Sequence, residues 1–494
     1  MGIIKRQSIS GTIYSYIGVF VGFVTTGILF PKVFSTDEVG LLRLLVSTSV
    51  LFAQFSGLGF NAVMMRSFPF FRDKESGHHG FLSIAFAVNF VGLAAVMLAF
   101  FILKPWLIET NIEKSAMFVE YIYYLIPLIF FTSFFNLLDN YYRILYNATK
   151  GTVIKELWQR IFILASVLGY LFKLYDFQLL VITYTISVCL PTLLIIWSIW
   201  RQGELIFRCE KGFVSKSMAR EMINVSLFGI VTSFSGVIIL NVDALLINHY
   251  LGLSATGIYS IAFYFGTLVL IPSRPVVKIA SVLIADGWKE NDIKKIDEIY
   301  KKSNIVLTIL ALLLFIGLTA NIDNVFQIIT NKYISGKYVI LLIGLANVFE
   351  MSTSLAQSII HFSKYYRVIT WYLLIFVFML LISASILIPL YGIVGCAIAA
   401  LLSRFTYNFL SWLFLYRKFN LQPFTFKYWY LLGITAISFA VSYFIPVMHN
   451  YLIDIALRSS VLVGLFGLGI YYFKISTDFN ETFHAIFKQL KLMK

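Results

Sequence analysis

The chain has 494 residues, 59% of them hydrophobic and only 13% charged, and its mean hydropathy is +0.85. Soluble domains are about 45–50% apolar and about 25% charged, so composition excludes a soluble enzyme and a disordered chain alike. A net charge of +15 would suit nucleic acid, but the basic residues lie in short loops between apolar runs, so no nucleic-acid partner is expected.

Lys5 and Arg6 precede an apolar run over 11–30. At about 20 residues it is too long for a signal-peptide core, and Pro31-Lys32 follows it instead of a small-residue cleavage site. It reads as the first transmembrane helix. Further spanning runs follow at 39–65, 81–103, 121–138, 161–175, 177–200, 223–250, 257–285, 304–319, 339–361, 370–388, 393–414, 428–445 and 455–473. Runs of this length in lipid must satisfy their backbone internally, so the expectation is an all-α polytopic membrane protein of about 14 transmembrane helices.

Lys and Arg set the orientation. About 28 of the 39 basic residues fall in alternate loops and about 7 in the others, so the rich set is expected to be cytoplasmic. Both termini are then inside, and an even helix count follows. No loop exceeds about 25 residues, which leaves no room for an aqueous catalytic domain, and no G-x-x-x-x-G-K-[ST] phosphate loop is present. Enzymes and ATP-driven pumps are therefore disfavoured. Cys189, Cys209 and Cys396 show neither metal spacing nor a disulfide framework.

The two halves are similar at an offset of about 217 residues, an internal symmetry typical of transporters. Thr36-Asp37-Glu38-Val39-Gly40-Leu41 aligns with Leu253-Ser254-Ala255-Thr256-Gly257-Ile258, and Leu174-Tyr175-Asp176 aligns with Leu390-Tyr391-Gly392. The expected organisation is an N-lobe over 1–205, a parallel six-helix C-lobe over 206–420, and two more helices with a tail over 421–494. A carrier with a cavity between lobes is the function class this layout suggests.

Polar stripes recur at helical spacing. They comprise Arg43, Ser47, Gln54 and Asn61; Ser133, Asn136, Asn140, Arg143 and Asn147; Tyr264, Thr267, Arg274, Lys278 and Ser281; Asn347, Glu350, Ser354, Gln357 and His361; and Arg404, Asn408 and Ser411. Uncharged members either line a cavity (Asn61, Asn136, Asn140, Asn347, Gln357, Asn408) or serve as interhelical glue. The charged members are more telling, since a mid-membrane charge costs about 2.5–3.5 kcal/mol on insertion scales. Arg43, Arg274, Lys278 and Arg404 are candidate anion-binding cations, and Arg274 and Lys278 stand one turn apart beside Pro272 and Pro275. Glu350 and Asp243 are either counter-ions or protonatable coupling sites, so H+ or Na+ coupling is open while no other cofactor is expected. His361 reads as interfacial, and His78-His79 as solvated.

The sequence resembles the polysaccharide-transporter branch of the MOP (multidrug/oligosaccharidyl-lipid/polysaccharide) exporter superfamily, and within it a Wzx-type O-antigen or polysaccharide-unit flippase. The resemblance rests on the two-lobe layout and on four segments. These are 34–40, Gly57-Leu58-Gly59-Phe60-Asn61-Ala62 with Arg66 and Pro69, Asn241-Val242-Asp243-Ala244-Leu245-Leu246-Ile247 before Leu251-Gly252, and Gly392-Ile393-Val394-Gly395-Cys396-Ala397. It implies two lobes in a V-shaped, MATE-like alternating-access fold. It also implies flipping of an undecaprenyl-diphosphate-linked oligosaccharide across a bacterial inner membrane, with membrane lipid, glycosyltransferases and a polysaccharide polymerase as partners. A multidrug-extrusion antiporter and a lipid II flippase of the same superfamily are the alternatives.

Overall fold

The computed structural model describes residues 13–207, 210 and 212–481. Lys5, Arg6, Arg208, Cys209, Lys211, Lys488, Lys491 and Lys494 lie outside the described residues. Within them every regular element is helical, and twelve helices are long and apolar enough to cross a membrane. Two further helical stretches bring the total to the expected fourteen. One is helical from Ala148 to Leu171, with a π turn over Ile154–Trp158. It begins earlier than the hydropathy suggested because Lys150, Lys155, Glu156 and Arg160 occupy its first half. The other is Lys427–Tyr443.

The first compact unit spans residues 1–260. It contains α1 (Ile13–Val33), α2 (Thr36–Ser56), α3 (Phe60–Phe71), α4 (Phe81–Asn111), α5 (Leu125–Ile144), α6 (Gln159–Leu171), α7 (Phe177–Arg201), α8 (Lys216–Leu251) and the start of α9 (Leu253–Thr267). α2 opens on a capping box, with Ser35 accepting from the Glu38 amide and Glu38 accepting from the Ser35 amide, which satisfies two donors at the helix start. The expected continuous run over 39–65 is instead broken at Gly57–Gly59. Leu58 (φ 45°) and Gly59 (φ 71°) are left-handed, and a Cβ on Gly59 would lie 2.1 Å from the Ser226 carbonyl oxygen. Only glycine meets both demands, and α3 starts in a new direction. Asn61 therefore does not share a helical face with Arg43, Ser47 and Gln54.

The second unit spans residues 261–494. It contains α10 (Ser273–Lys289), α11 (Ile293–Ala320), α12 (Lys337–Phe362), α13 (Arg367–Tyr391), α14 (Ile393–Phe419), α15 (Lys427–Tyr443) and α16 (Tyr451–Tyr472). The span expected over 257–285 is interrupted ahead of the two prolines. α9 ends at Thr267, a tight turn follows over Leu268–Leu270, and Pro272 caps α10 with Pro275 in its first turn, where no amide partner is needed. Tyr264 and Thr267 thus lie on a different helix from Arg274 and Lys278. α12 is the central helix of this unit, packed by α10, α11 and α14. Its span is 67% buried, against 28% for α13, whose Trp371, Phe378 and Ile382 stand exposed as lipid-facing side chains. Ala280, Ile284, Ile296, Leu355, Ile359 and Leu415 bind these helices in one apolar cluster.

The repeat is visible in the element bounds. α2 begins at Thr36 and α9 at Leu253, 217 residues apart; α5 ends at Ile144 and α12 at Phe362, 218 apart. Both halves break their second helix. The two aligned glycines, Gly40 and Gly257, meet each other. A Cβ on Gly40 would sit 2.1 Å from the Leu253 oxygen, one on Gly257 1.9 Å from the Thr36 oxygen, and Thr36 Oγ1 lies 2.7 Å from Ser254 Oγ. Contacts divide the chain at 260/261, and the repeat is expected to divide it at 205/206. The two differ because α8 packs along α2 and α3.

Candidate functional site

α12 places Asn347, Glu350, Ser354 and Gln357 on one face by steps of three and four. α10 places Arg274 and Lys278 one turn apart on the helix beside it. These faces meet around a cavity of about 430 Å³ lined by Arg274, Lys278, Glu350, Ser354, Gln357 and Ser358, with Val277 and Met351 as apolar wall. Ser281 and Ser358 hydroxyls, 2.9 Å apart, tie the two helices below it. Among the described residues neither Arg274 nor Lys278 forms an ion pair or hydrogen bond, and both are exposed. Two cations one turn apart repel each other, and among the described residues that line the cavity Glu350 alone carries the opposite charge.

Arg404 is in a different situation. It is 6% exposed and does not line the cavity. Its Nη1 donates to Asn347 Oδ1, and Asn347 Nδ2 donates to the Gly266 carbonyl at 2.9 Å. Asn408 Nδ2 donates to the Arg404 carbonyl at 2.9 Å, and Asn408 Oδ1 accepts from Gln357 Nε2 at 3.3 Å. Three expected cavity-lining amides, Asn347, Gln357 and Asn408, thus form a network around Arg404, and only Gln357 reaches the cavity wall. Glu350 Oε2 stands 3.5 Å from Arg404 Nη1 and links the network to the cavity.

Arg43 and Asp243 belong to the first unit. Arg43 Nη2 donates to the Leu240 carbonyl at 2.9 Å and lies 3.7 Å from Asp243 Oδ1, so the two candidates are ion partners joining α2 to α8. Asp243 is buried, and the same oxygen accepts from the Ala244 amide at 2.8 Å. Asn140 donates to the Asn136 carbonyl within α5 at 2.8 Å, and both asparagines are half-buried, as is Asn61 on α3. Asn147 lies beyond the end of α5 and donates to Gln202, so it leaves the stripe assigned to it.

Two clusters escaped the sequence reading. His78 is buried, not solvated: its Nε2 is 3.1 Å from Glu204 Oε2, and Lys74 Nζ holds the other oxygen at 3.1 Å. His79 stacks on Phe213 at 3.9 Å and places Nδ1 2.6 Å from Glu210. Hydrogen bonds from Ser76 and the Glu75 amide hold nearby Asp73 below the usual carboxylate range. Flanking Gly77 and Gly80 were the available signal for a tight turn here. The second cluster is Arg458 with Asp454, a buried pair 2.7 Å apart; Arg458 falls inside the expected span over 455–473 and Asp454 just before it. No group of three metal-ligating side chains occurs among the described residues.

The apolar helix count and the cavity between α10 and α12 define the class: a multi-pass membrane protein. Its fold is shared with solved MOP-superfamily structures. The lipid II flippase MurJ in an inward closed conformation superposes with a TM-score of 0.76 at 14% identity, covering 94% of this chain and 98% of that one. An inward-facing multidrug resistance MATE family transporter gives 0.62 at 13% identity, covering 80% and 93%. Residues 4–285 match the family model described as polysaccharide biosynthesis protein, and the chain belongs to that family. An uncharacterized membrane protein of Methanocaldococcus jannaschii is 21% identical over 95% of this chain and 96% of its own length.

Proposed function

We propose that this protein is a flippase that moves an oligosaccharide unit linked to undecaprenyl diphosphate across the cytoplasmic membrane by alternating access, as O-antigen, capsule or exopolysaccharide assembly requires. The observation that carries the reading is the pair Arg274 and Lys278, which line one cavity without an ion partner among the described residues. Arginine's planar fork suits phosphate oxygens, and a cavity with more cations than acids repels the cationic solutes a multidrug exporter would carry. The polysaccharide family and the fold shared with a lipid II flippase support a lipid-linked substrate. In this reading both termini are cytoplasmic, glycosyltransferases supply the substrate and a polymerase consumes it.

The test is accumulation of lipid-linked units in cells that depend on this gene. Deletion should trap units on their carrier at the cytoplasmic leaflet, and Arg274→Ala should reproduce the deletion while still inserting in the membrane. Normal surface polysaccharide in a deletion strain with no second flippase would refute the function.

A further inference from the structure

The helical stretch that leads from Ala148 into α6 carries Lys150, Lys155, Glu156 and Arg160, and these charges are not answered alike. Arg160 pairs with Glu156 at 2.7 Å and donates to the Gly18 carbonyl of α1 at 2.7 Å. On α5, Arg143 pairs with Asp139 at 2.6 Å. Asp139 and Glu156 are the acids nearest Lys155, and an arginine already holds each. Among the described residues Lys155 forms no ion pair or hydrogen bond, and its one partner is a ring: Nζ lies 5.2 Å from the Phe135 centroid. Phe135 stands nine residues before the end of α5 at Ile144, about 13 Å along the helix. A lysine on an outer face carries its head toward the membrane interface. This head lies instead over a ring that is only 5% exposed, while the lysine itself stays exposed.

We propose that Lys155 is a phosphate-binding residue of the first unit, one that holds a phosphate of the lipid-linked substrate. The proposal rests on the flippase reading above. A cation this far along its helix with no acid to answer it marks the place of an anion. A phenyl face attracts an ammonium but does not neutralise it, so the charge stays available. The ammonium is a compact point charge on a flexible stem and suits a phosphate oxygen without fixing its orientation. The backbone points the same way. Lys155 is the second residue of the π turn Ile154–Trp158, in which the Gln159 amide reaches back five residues to the Ile154 carbonyl. Such turns interrupt regular helix bonding and recur at functional sites.

The experiment measures binding to the purified full-length protein. The probe is farnesyl-diphosphate-N-acetylglucosamine, and dioleoylphosphatidylglycerol is the bilayer anion set against it. The sugar is neutral, so a charge effect on the probe reports its phosphates. Lys155→Met keeps a chain over Phe135 and removes the charge. It should weaken the probe at least about ten-fold, with an unchanged melting temperature and unchanged phosphatidylglycerol binding. Lys155→Arg should stay within about three-fold of the wild type. Lys155→Gln carries the same expectation as Lys155→Met and serves if the latter does not purify folded. Wild-type probe affinity in these uncharged variants, with the probe weakened by Arg274→Ala, would overturn Lys155 as a phosphate ligand and leave the flippase reading standing. Equal weakening of the probe and of phosphatidylglycerol would overturn the substrate assignment, since the residue would then hold a bilayer headgroup. Wild-type probe affinity in Lys155→Met and in Arg274→Ala alike would overturn the flippase reading as well.

Discussion

Two regions of the second unit hold arginine in opposite ways. Arg458 on α16 is fully answered. Its Nε donates to Asp454 at 2.7 Å, and its Nη atoms donate to the Ser442, Tyr443 and Ile445 carbonyls at the end of α15. Asp454 in turn accepts from Asn324 and from the Met448 amide. A cation there meets the unpaired carbonyls of a helix C-terminus, which attract positive charge. Among the described residues Arg274 on α10 has no such partners, and it lines a cavity. The lesson is that a charge in an apolar frame is structural where the fold supplies every partner, and is available for a ligand where it does not.

The largest effect expected is at the answered arginine. Arg458→Ala leaves Asp454 buried and unpaired and should cost about 3–5 kcal/mol, read as a large fall in thermal stability and yield. Replacing both residues by leucine should recover most of that loss, since an apolar pair of similar volume is often as stable as a buried ion pair. A mild Arg458→Ala would break the comparison. Arg274→Ala should do the reverse, abolishing complementation while changing stability by no more than about 0.5 kcal/mol. Arg274→Lys should retain part of the activity, because the charge stays and the fork is lost.

Between these extremes lies Arg404. Asn347→Leu removes the acceptor that pins it and should destabilise by about 1–3 kcal/mol, with a loss of transport that follows the loss of folded protein. Gln357→Ala removes one 3.3 Å bond at the cavity edge and should cost no more than about 1 kcal/mol by chemical or thermal melting. Equal penalties at these two positions would show that the amides around Arg404 are interchangeable and not a graded shell.

Much of the architecture was legible in the sequence. Apolar runs, alternating basic loops and the 217-residue repeat depend on local composition, so they could be read without contacts, and Gly40 and Gly257 already stood in register. Helix continuity was less legible. The breaks at Gly57–Gly59 and Leu268–Pro272 lie inside runs that read as single spans, because hydropathy reports apolar content and not backbone direction.

The sequence by itself determined that Arg274 and Lys278 would stand one turn apart on one helix face, since helical periodicity is a property of a single segment. Only the tertiary structure decided which of the buried charges were already answered. Arg404 finds Glu350 and Asn347 more than fifty residues away, His78 finds Glu204 across 126, and Arg43 finds the Leu240 carbonyl across 197. A charge interacts through distance in space, and distance in space is set by how helices pack, so a free arginine and a paired one look alike until the helices around them are in place.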